Sequence, residues 1–426
     1  MSETMTTKPN QILRASCALL RGSRRGQVIV LVAVSLVAMM GMIGVVTDFA
    51  FMQHQKNMMQ TAADSAAMAG SQELSYGDMA AAGKADAARN GYTDGASSVT
   101  VTINNPPSTG PNAANSAYVE AIVSKPEPTY FMRVLGVGTL TVSARAVAYE
   151  GSGPNCIYVI DPAASGALAV NGNVTVQSSC GLLVDSSSSS GLTAAGNDTI
   201  SATTIGIVGN YTSNGSVSLT PTPKIGVIAA TDPLAYVQAP TVGSCAYTNL
   251  SLNNAGSSGS PYQLYPGTYC GGITLHGSTV LNFNPGTYVL AGGGIDIHGN
   301  SVMTGTGVTF YLTTGTGGYG GITLNGTSQV NFSAPTSGPL VGILFFQDRS
   351  IPIGGAASTI TGNSSSTFDG ALYFPTTTVS FNGNSSSGGY GIVVADKLTL
   401  SGNSSLGSNY SSLTGGSPIK GTILAE

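Results

Sequence analysis

Three groups of residues in this sequence have the types and spacing to do chemistry. His276 and His298 hold the same place in two successive short motifs, ITLHGS and IDIHGN. Stacked motifs would place the two imidazoles together near Asp296, the start of a metal site. No Cys or third His is placed to complete it, so a solvent-facing ladder is the favoured reading. Asp185, Ser187 and Ser189 form a D-x-S-x-S run of oxygen donors. The third group is acidic: cleaving a glycan takes clustered carboxylates, often with Lys or Arg beside them. Asp348-Arg349, Asp369 and Asp396-Lys397 are the only charged residues in the last hundred before Lys420. They fall in different parts of their repeats and form no evident cluster. The sequence therefore predicts no catalytic residue, no metal site and no cofactor.

The element that carries these residues is an internal repeat. An apolar-x-apolar-x-Gly pattern followed by Asn, Ser or Thr begins at Ile273, Ile295, Ile322, Val379 and Leu398, with looser copies at Ala169, Thr193 and Thr359. Its glycines, 172, 196, 277, 299, 326, 362, 383 and 402, are spaced by 24, then by 22, 27, 36, 21 and 19. Short strands, glycine turns and a period of about 22 residues predict a stacked all-β solenoid, a right-handed parallel β-helix. One strand is too short to bury a face alone, but stacked Ile, Leu, Val and Phe make a continuous core. Asn after Gly can add a side-chain hydrogen-bond ladder. Two PGTY copies, at Pro266 and Pro285, fit the same period. At about 22 residues per rung, residues 151–426 would make on the order of twelve rungs, about 55 Å long. A β-sandwich is the alternative.

The rest of the chain is organised by the stretch from Gly26 to Thr47, an unbroken run without a formal charge. A helix of that length spans about 33 Å, enough for a hydrocarbon core of about 30 Å. Lys8, Arg14, Arg21, Arg24 and Arg25 precede it against Glu3 alone, so the positive-inside bias keeps the N-terminus in the cytoplasm and exports the remainder. The apolar run exceeds that of a cleavable signal peptide, which favours an uncleaved anchor. Gly26 after two arginines is similar to a type IV prepilin cleavage point, but Leu31 stands where a prepilin has glutamate.

Only 8% of residues are charged and the net charge is -4, so nucleic acid is not an expected partner. From Gly151 onward there are nine carboxylate side chains and four basic ones, leaving Ser, Thr, Asn and Gly to wet the surface. Cys17 falls on the cytoplasmic side. Cys156, Cys180, Cys245 and Cys270 form an even set in the exported part, where disulfides persist. Nearly equal separations, Cys156 to Cys180 and Cys245 to Cys270, make sequential pairing the first of three possibilities.

Beyond the anchor, Phe49 to about Leu74 lacks proline and continues the helix. Met52, Met59 and Ala66, with Ala62 and Ala63 between them, place a narrow apolar stripe on it. The stripe can pack on the chain's own next module or on another subunit. Residues 76–150 predict a small α+β module: a helix over Asp78 to Asn90, strands over Ser98 to Asn104, Ala117 to Ser124 and Leu140 to Tyr149, and a short helix over Thr129 to Leu135.

Arg24 to Gly70 resembles the N-terminal domain of TadG-like proteins of the Tad (tight adherence, Flp pilus) assembly system. The resemblance rests on Arg24, Arg25 and Gly26 before the anchor, Asp48 closing it, and Gln60, Ala62, Ala63, Asp64, Ala66, Ala67 and Ala69. It implies a single-pass inner-membrane protein of a pilus-building machine, in which Asp48, Gln60 and Asp64 serve assembly, and it does not imply an enzymatic activity. The 76–150 module is similar to the membrane-proximal part of Tad pilin-like proteins. The Asp185 run is similar to the metal-dependent adhesion site of von Willebrand A domains, which some TadG-like proteins carry. That fold needs an amphipathic helix directly after the serines, whereas Gly191 to Thr204 is Gly- and Thr-rich, so a polar turn is expected.

The expected organisation is a basic cytoplasmic leader (1–25), anchor and helical extension (26–75), α+β module (76–150) and exported β domain (151–426). The expected partners are the lipid bilayer and other pilus-assembly subunits, with no small-molecule substrate. A surface adhesin displaying the β-helix and a carbohydrate-active enzyme are the alternatives.

Overall fold

The computed structural model describes residues 24–74, 77–325, 327–361, 365–383, 386–388, 391–408 and 417–426. The leader with Lys8, Arg14, Arg21 and Cys17, and the repeat glycines 326 and 362, lie outside them. The chain divides into two compact units, residues 1–150 with 422–426, and residues 151–421.

In the first unit α1 (Arg24–Gln72) is one continuous helix of 49 residues. Its first half exposes Val, Leu, Ile and Met on all sides, from Val28 to Val46. The polar groups inside this stretch are satisfied within the helix: Ser35 donates to the Val32 carbonyl at 2.9 Å and Thr47 to the Ile43 carbonyl at 2.8 Å. The second half buries its stripe, Met59, Ala62, Ala63, Ala66 and Ala67, in the chain's own core against Val101, Ala121, Val123, Ala144, Ala146 and Ala148. Small residues on both surfaces let the helix lie close to the sheet. A second helix, α2 (Met79–Arg89), starts where Asp78 accepts the Ala80 and Ala81 N–H groups at 3.0 Å. Its Gly83 sits so close to α1 that a methyl group there would lie 3.0 Å from the Ala66 carbonyl.

The sheet of this unit runs in the order β1 (Thr100–Asn104), β2 (Tyr118–Pro128), β3 (Thr139–Ser152) and a fourth strand, Lys420–Leu424. The pairs β1–β2 and β2–β3 are antiparallel. The fourth strand was not expected from the sequence. The chain end returns to β3, where Val147 donates to the Glu426 carbonyl and Ala425 donates to the Val147 carbonyl.

The second unit is a parallel β-solenoid of about ten turns. Each full turn carries three short strands whose alternate residues point inward, as in Ile273-Thr274-Leu275, where Ile273 and Leu275 are buried. A column of rings, Tyr247, Tyr269, Tyr288, Phe310, Phe345 and Phe374, runs along the core with successive centroids 5.0–6.3 Å apart. At the turns, glycines approach backbone to backbone. Gly196, at φ 126°, leaves 2.3 Å between a would-be Cβ and the Gly172 carbonyl oxygen, so no side chain fits. The residues after these glycines form amide ladders, with Asn197 donating to Asn173 at 3.0 Å and Asn173 to Asn403 at 2.9 Å. Parallel pairing throughout the coil excludes the sandwich.

The order of the turns is not the order of the chain. Asn155–Val159, where the coil begins, lies between Gly391–Gly402 and Gly181–Val184. From this mid-stack start the chain runs outward through Ile205–Ile207 to Lys224–Ile225 at one end. Residues 226–244 then form no strand and lead to Cys245–Asn253 at the opposite end. From there the chain winds back through Gly286–Ala291, Val308–Thr313, Ile343–Gln347 and Ser365–Phe381 to Gly391–Gly402. The turn count of about ten replaces the twelve expected. The crossover and the return to the first unit consume residues that make no turn, and Ile343–Gln347 is followed by a long insertion before Ser358–Ile360.

Candidate functional site

Of the motif residues, Asp48 and Gln60 bond the rest of the unit from α1, and Asp64 holds Gln60 in place. Asp48, one turn beyond the apolar run's Gly44, is fully buried. Its carboxylate accepts three backbone N–H groups, from Tyr130 at 2.9 Å, Phe131 at 2.9 Å and Met132 at 2.7 Å. These open the 3-10 turn Met132–Leu135 at the tip of the β2–β3 hairpin, so one side chain fixes the loop against the helix. Gln60 donates to Asp64 at 2.8 Å and to the Arg145 carbonyl of β3 at 2.9 Å. At the helical rise, Gln60 and Asp64 lie about 18 and about 24 Å further along α1 than Asp48. The three residues therefore form two separate clamps and not one site.

Behind the second clamp lies a charged network with no signal in the sequence. Arg145 bonds Glu120 through Nε at 2.5 Å, Glu426 through Nη1 at 2.6 Å and the Thr109 carbonyl through Nη2 at 2.5 Å. Burial by itself would raise the Glu120 carboxyl, but hydrogen bonds from Ser108, Asn104 and Arg145 outweigh it and hold the group at about 2. A carboxylate depressed from 4.5 to about 2 adds stability above its unfolded value and loses it as pH falls towards the folded one. The first unit should therefore weaken progressively between pH 4.5 and 2. Glu120→Gln should be less stable at neutral pH and flatter across that acid window, as read by circular dichroism of the full chain in detergent micelles.

In the second unit the structure separates the chemical candidates. His276 and His298 stack with ring centroids 5.6 Å apart and planes 8° from parallel, both exposed, and His298 lies 3.1 Å from Asp296. Asp185 is buried and accepts the Ala230 N–H at 3.1 Å, and burial pushes its carboxyl up. Ser187 donates to the Pro162 carbonyl at 2.9 Å, while Ser189 is exposed. Thus the D-x-S-x-S run is a hydrogen-bonded turn. Asp348 accepts from Thr313 at 2.6 Å, Asp396 is buried next to Lys397, and Asp369 follows Phe368 on another strand column. Among the described residues no three His, Cys, Asp or Glu are grouped to hold a metal. Cys156 is joined to Cys180 and Cys245 to Cys270, with Cα atoms 5.5 and 5.6 Å apart.

Arg349, weighed in the sequence only with Asp348 as a member of a candidate catalytic cluster, pins the crossover. Its guanidinium bonds the Val237 carbonyl at 3.0 Å, the Leu234 carbonyl and the Tyr373 hydroxyl, and lies 3.6 Å from Asp232. It also sits 5.1 Å above the rings of Phe346 and Tyr373. Leu234 and Val237 are thereby held in a second apolar cluster with Tyr311, Phe346, Tyr373 and Val394. This arrangement ties the crossover segment to the coil.

No curated protein and no solved structure matches the chain. One helix in the described residues is long and apolar enough to cross a membrane, and it starts near the N-terminus. Residues 26–87, which include the apolar part of that helix, match the Tad family, described as putative Flp pilus-assembly TadE/G-like.

Proposed function

We propose that this chain is a non-enzymatic, single-pass inner-membrane component of a Tad/Flp-type pilus assembly machine, with a minor-pilin-like or scaffolding role. Its N-terminus is cytoplasmic and residues beyond about 50 are exported. The observation that carries this reading is the two-part helix inside the matched region. Its apolar half is exposed on all sides and its Ala-rich half is consumed by the chain's own sheet, so α1 joins an anchor rigidly to a head. Such a connection suits holding or aligning subunits in the envelope. The partners are the bilayer and other pilus-assembly subunits.

In this reading Asp48 fixes that head to its anchor directly, and Asp64 does so through Gln60, which it holds against β3. Asp48→Ala removes the acceptor of three N–H groups and should strongly reduce surface pili, while Asp64→Ala, which loses one bond from Gln60, should reduce them less. Both proteins should still fractionate with the inner membrane. Piliation counted by electron microscopy, beside immunoblots of separated membranes, decides the matter. Recovery of the protein in sheared pili or the outer membrane, and not the inner membrane, would favour the adhesin instead.

A further inference from the structure

We infer that the β2–β3 hairpin tip, residues 130–135, is a second membrane contact: a foot seated among the lipids of the leaflet through which α1 emerges. Phe131 packs directly on Gly44, where a methyl group would lie 2.7 Å from its ring. Gly44 belongs to the last turn of the uncharged Gly26–Thr47 run, so the loop reaches back alongside the apolar part of the helix. Tyr130 rests edge-on against Phe51 at 5.5 Å, and the three N–H bonds to Asp48 prevent the loop from swinging away.

The loop's other surface is bare. Tyr130, Phe131, Val134 and Leu135 are 61, 51, 86 and 74% exposed, and Arg133 beside them is exposed as well. Four large apolar residues at one tip, next to a cation and continuous with the anchor's own apolar surface, match the chemistry of the headgroup–acyl boundary of an anionic bilayer. An apolar groove of about 590 Å³, lined by Val45, Phe49, Met52, Met132, Leu140 and Val142, extends the same surface along α1. Helix and foot together would hold the module at two points and stop it rotating about the anchor axis. The inference rests on the anchor reading above.

The chain has no Trp, so a single introduced Trp reports its own surroundings. Full-length Leu135→Trp, Val37→Trp and Thr61→Trp proteins are reconstituted in phosphatidylethanolamine–phosphatidylglycerol vesicles containing lipid brominated near the headgroup or near the chain terminus. Val37 marks the middle of the apolar run, and Thr61 is an exposed position on the same helix well past Asp48. The expected result is blue-shifted Leu135→Trp emission lost mainly to shallow bromines, Val37→Trp emission lost mainly to deep ones, and Thr61→Trp emission lost only to aqueous acrylamide. Val134→Trp should repeat the Leu135→Trp behaviour. If Val37→Trp is quenched by bromine but Leu135→Trp and Val134→Trp follow Thr61→Trp, the foot is wrong and the anchor stands. Blue-shifted loop emission that no bromine reaches means protein covers the loop, which also overturns the inference. A Val37→Trp that escapes bromine removes the anchor, and the foot falls with it.

Discussion

Replacing Phe310 by Ala should lower the unfolding free energy of the solenoid by about 3–5 kcal/mol. Phe310 is fully buried near the middle of the aromatic column, with ring centroids 5.0 Å from Phe283, 5.0 Å from Phe332, 5.2 Å from Phe345 and 5.5 Å from Tyr288. Truncation removes contacts on two neighbouring turns at once, and the parallel hydrogen bonds on both sides keep the backbone from collapsing into the gap. Phe310→Leu, which keeps more of the volume, should cost clearly less. Denaturant unfolding of the full chain in detergent micelles, followed by circular dichroism, reads the difference. A loss under about 1 kcal/mol for the Ala variant would mean that the ring column is not the core.

Loss of the two disulfides should be the next largest change, about 3 kcal/mol for each closed loop on the chain-entropy estimate, felt by the whole coil in one case and by the end turn alone in the other. The two bonds differ in place, so the losses should look different. Cys156 and Cys180 join the turn at which the chain enters the coil to the next one, inside the stack with turns paired on both sides. Cys156→Ala with Cys180→Ala should therefore lower the midpoint of the whole transition. Cys245 lies on the terminal strand, nearly all of it exposed, and Cys270 lies on the strand inside it. Without that bond the end turn should fray, and limited proteolysis should cut between residues 245 and 265 before the midpoint moves much. Equal shifts of the midpoint and no early cleavage would contradict this stacking order.

The repeat could be read from the sequence because its cause is local. Alternation in ITL and IDI sets which side chains enter the core, and the glycine after IDI, Gly299, is forced by backbone contact with Gly277 on the neighbouring turn. The α+β module was legible for the same reason: Asp78 caps its helix two and three residues away. What sequence could not carry was contact at long range. Asn155–Val159 pairs with residues 391–402 because a coil entered in its middle must be closed by its last turn, and no residue type announces that. Asp48 was singled out by resemblance alone. Its partners stand 82 to 84 residues away and are backbone N–H groups, which every sequence has. Arg349 escapes notice for a related reason: in the sequence it stands with Asp348 as part of no catalytic cluster, whereas its bonds go to carbonyls more than a hundred residues earlier.

The proposed role of the chain is pilus assembly from the membrane. It is tested most directly by counting surface pili, in electron micrographs, on cells lacking the gene and on the same cells given it back. Pili should be absent or strongly reduced in the deletion strain and restored by the wild-type chain. Normal piliation in the deletion strain would contradict it.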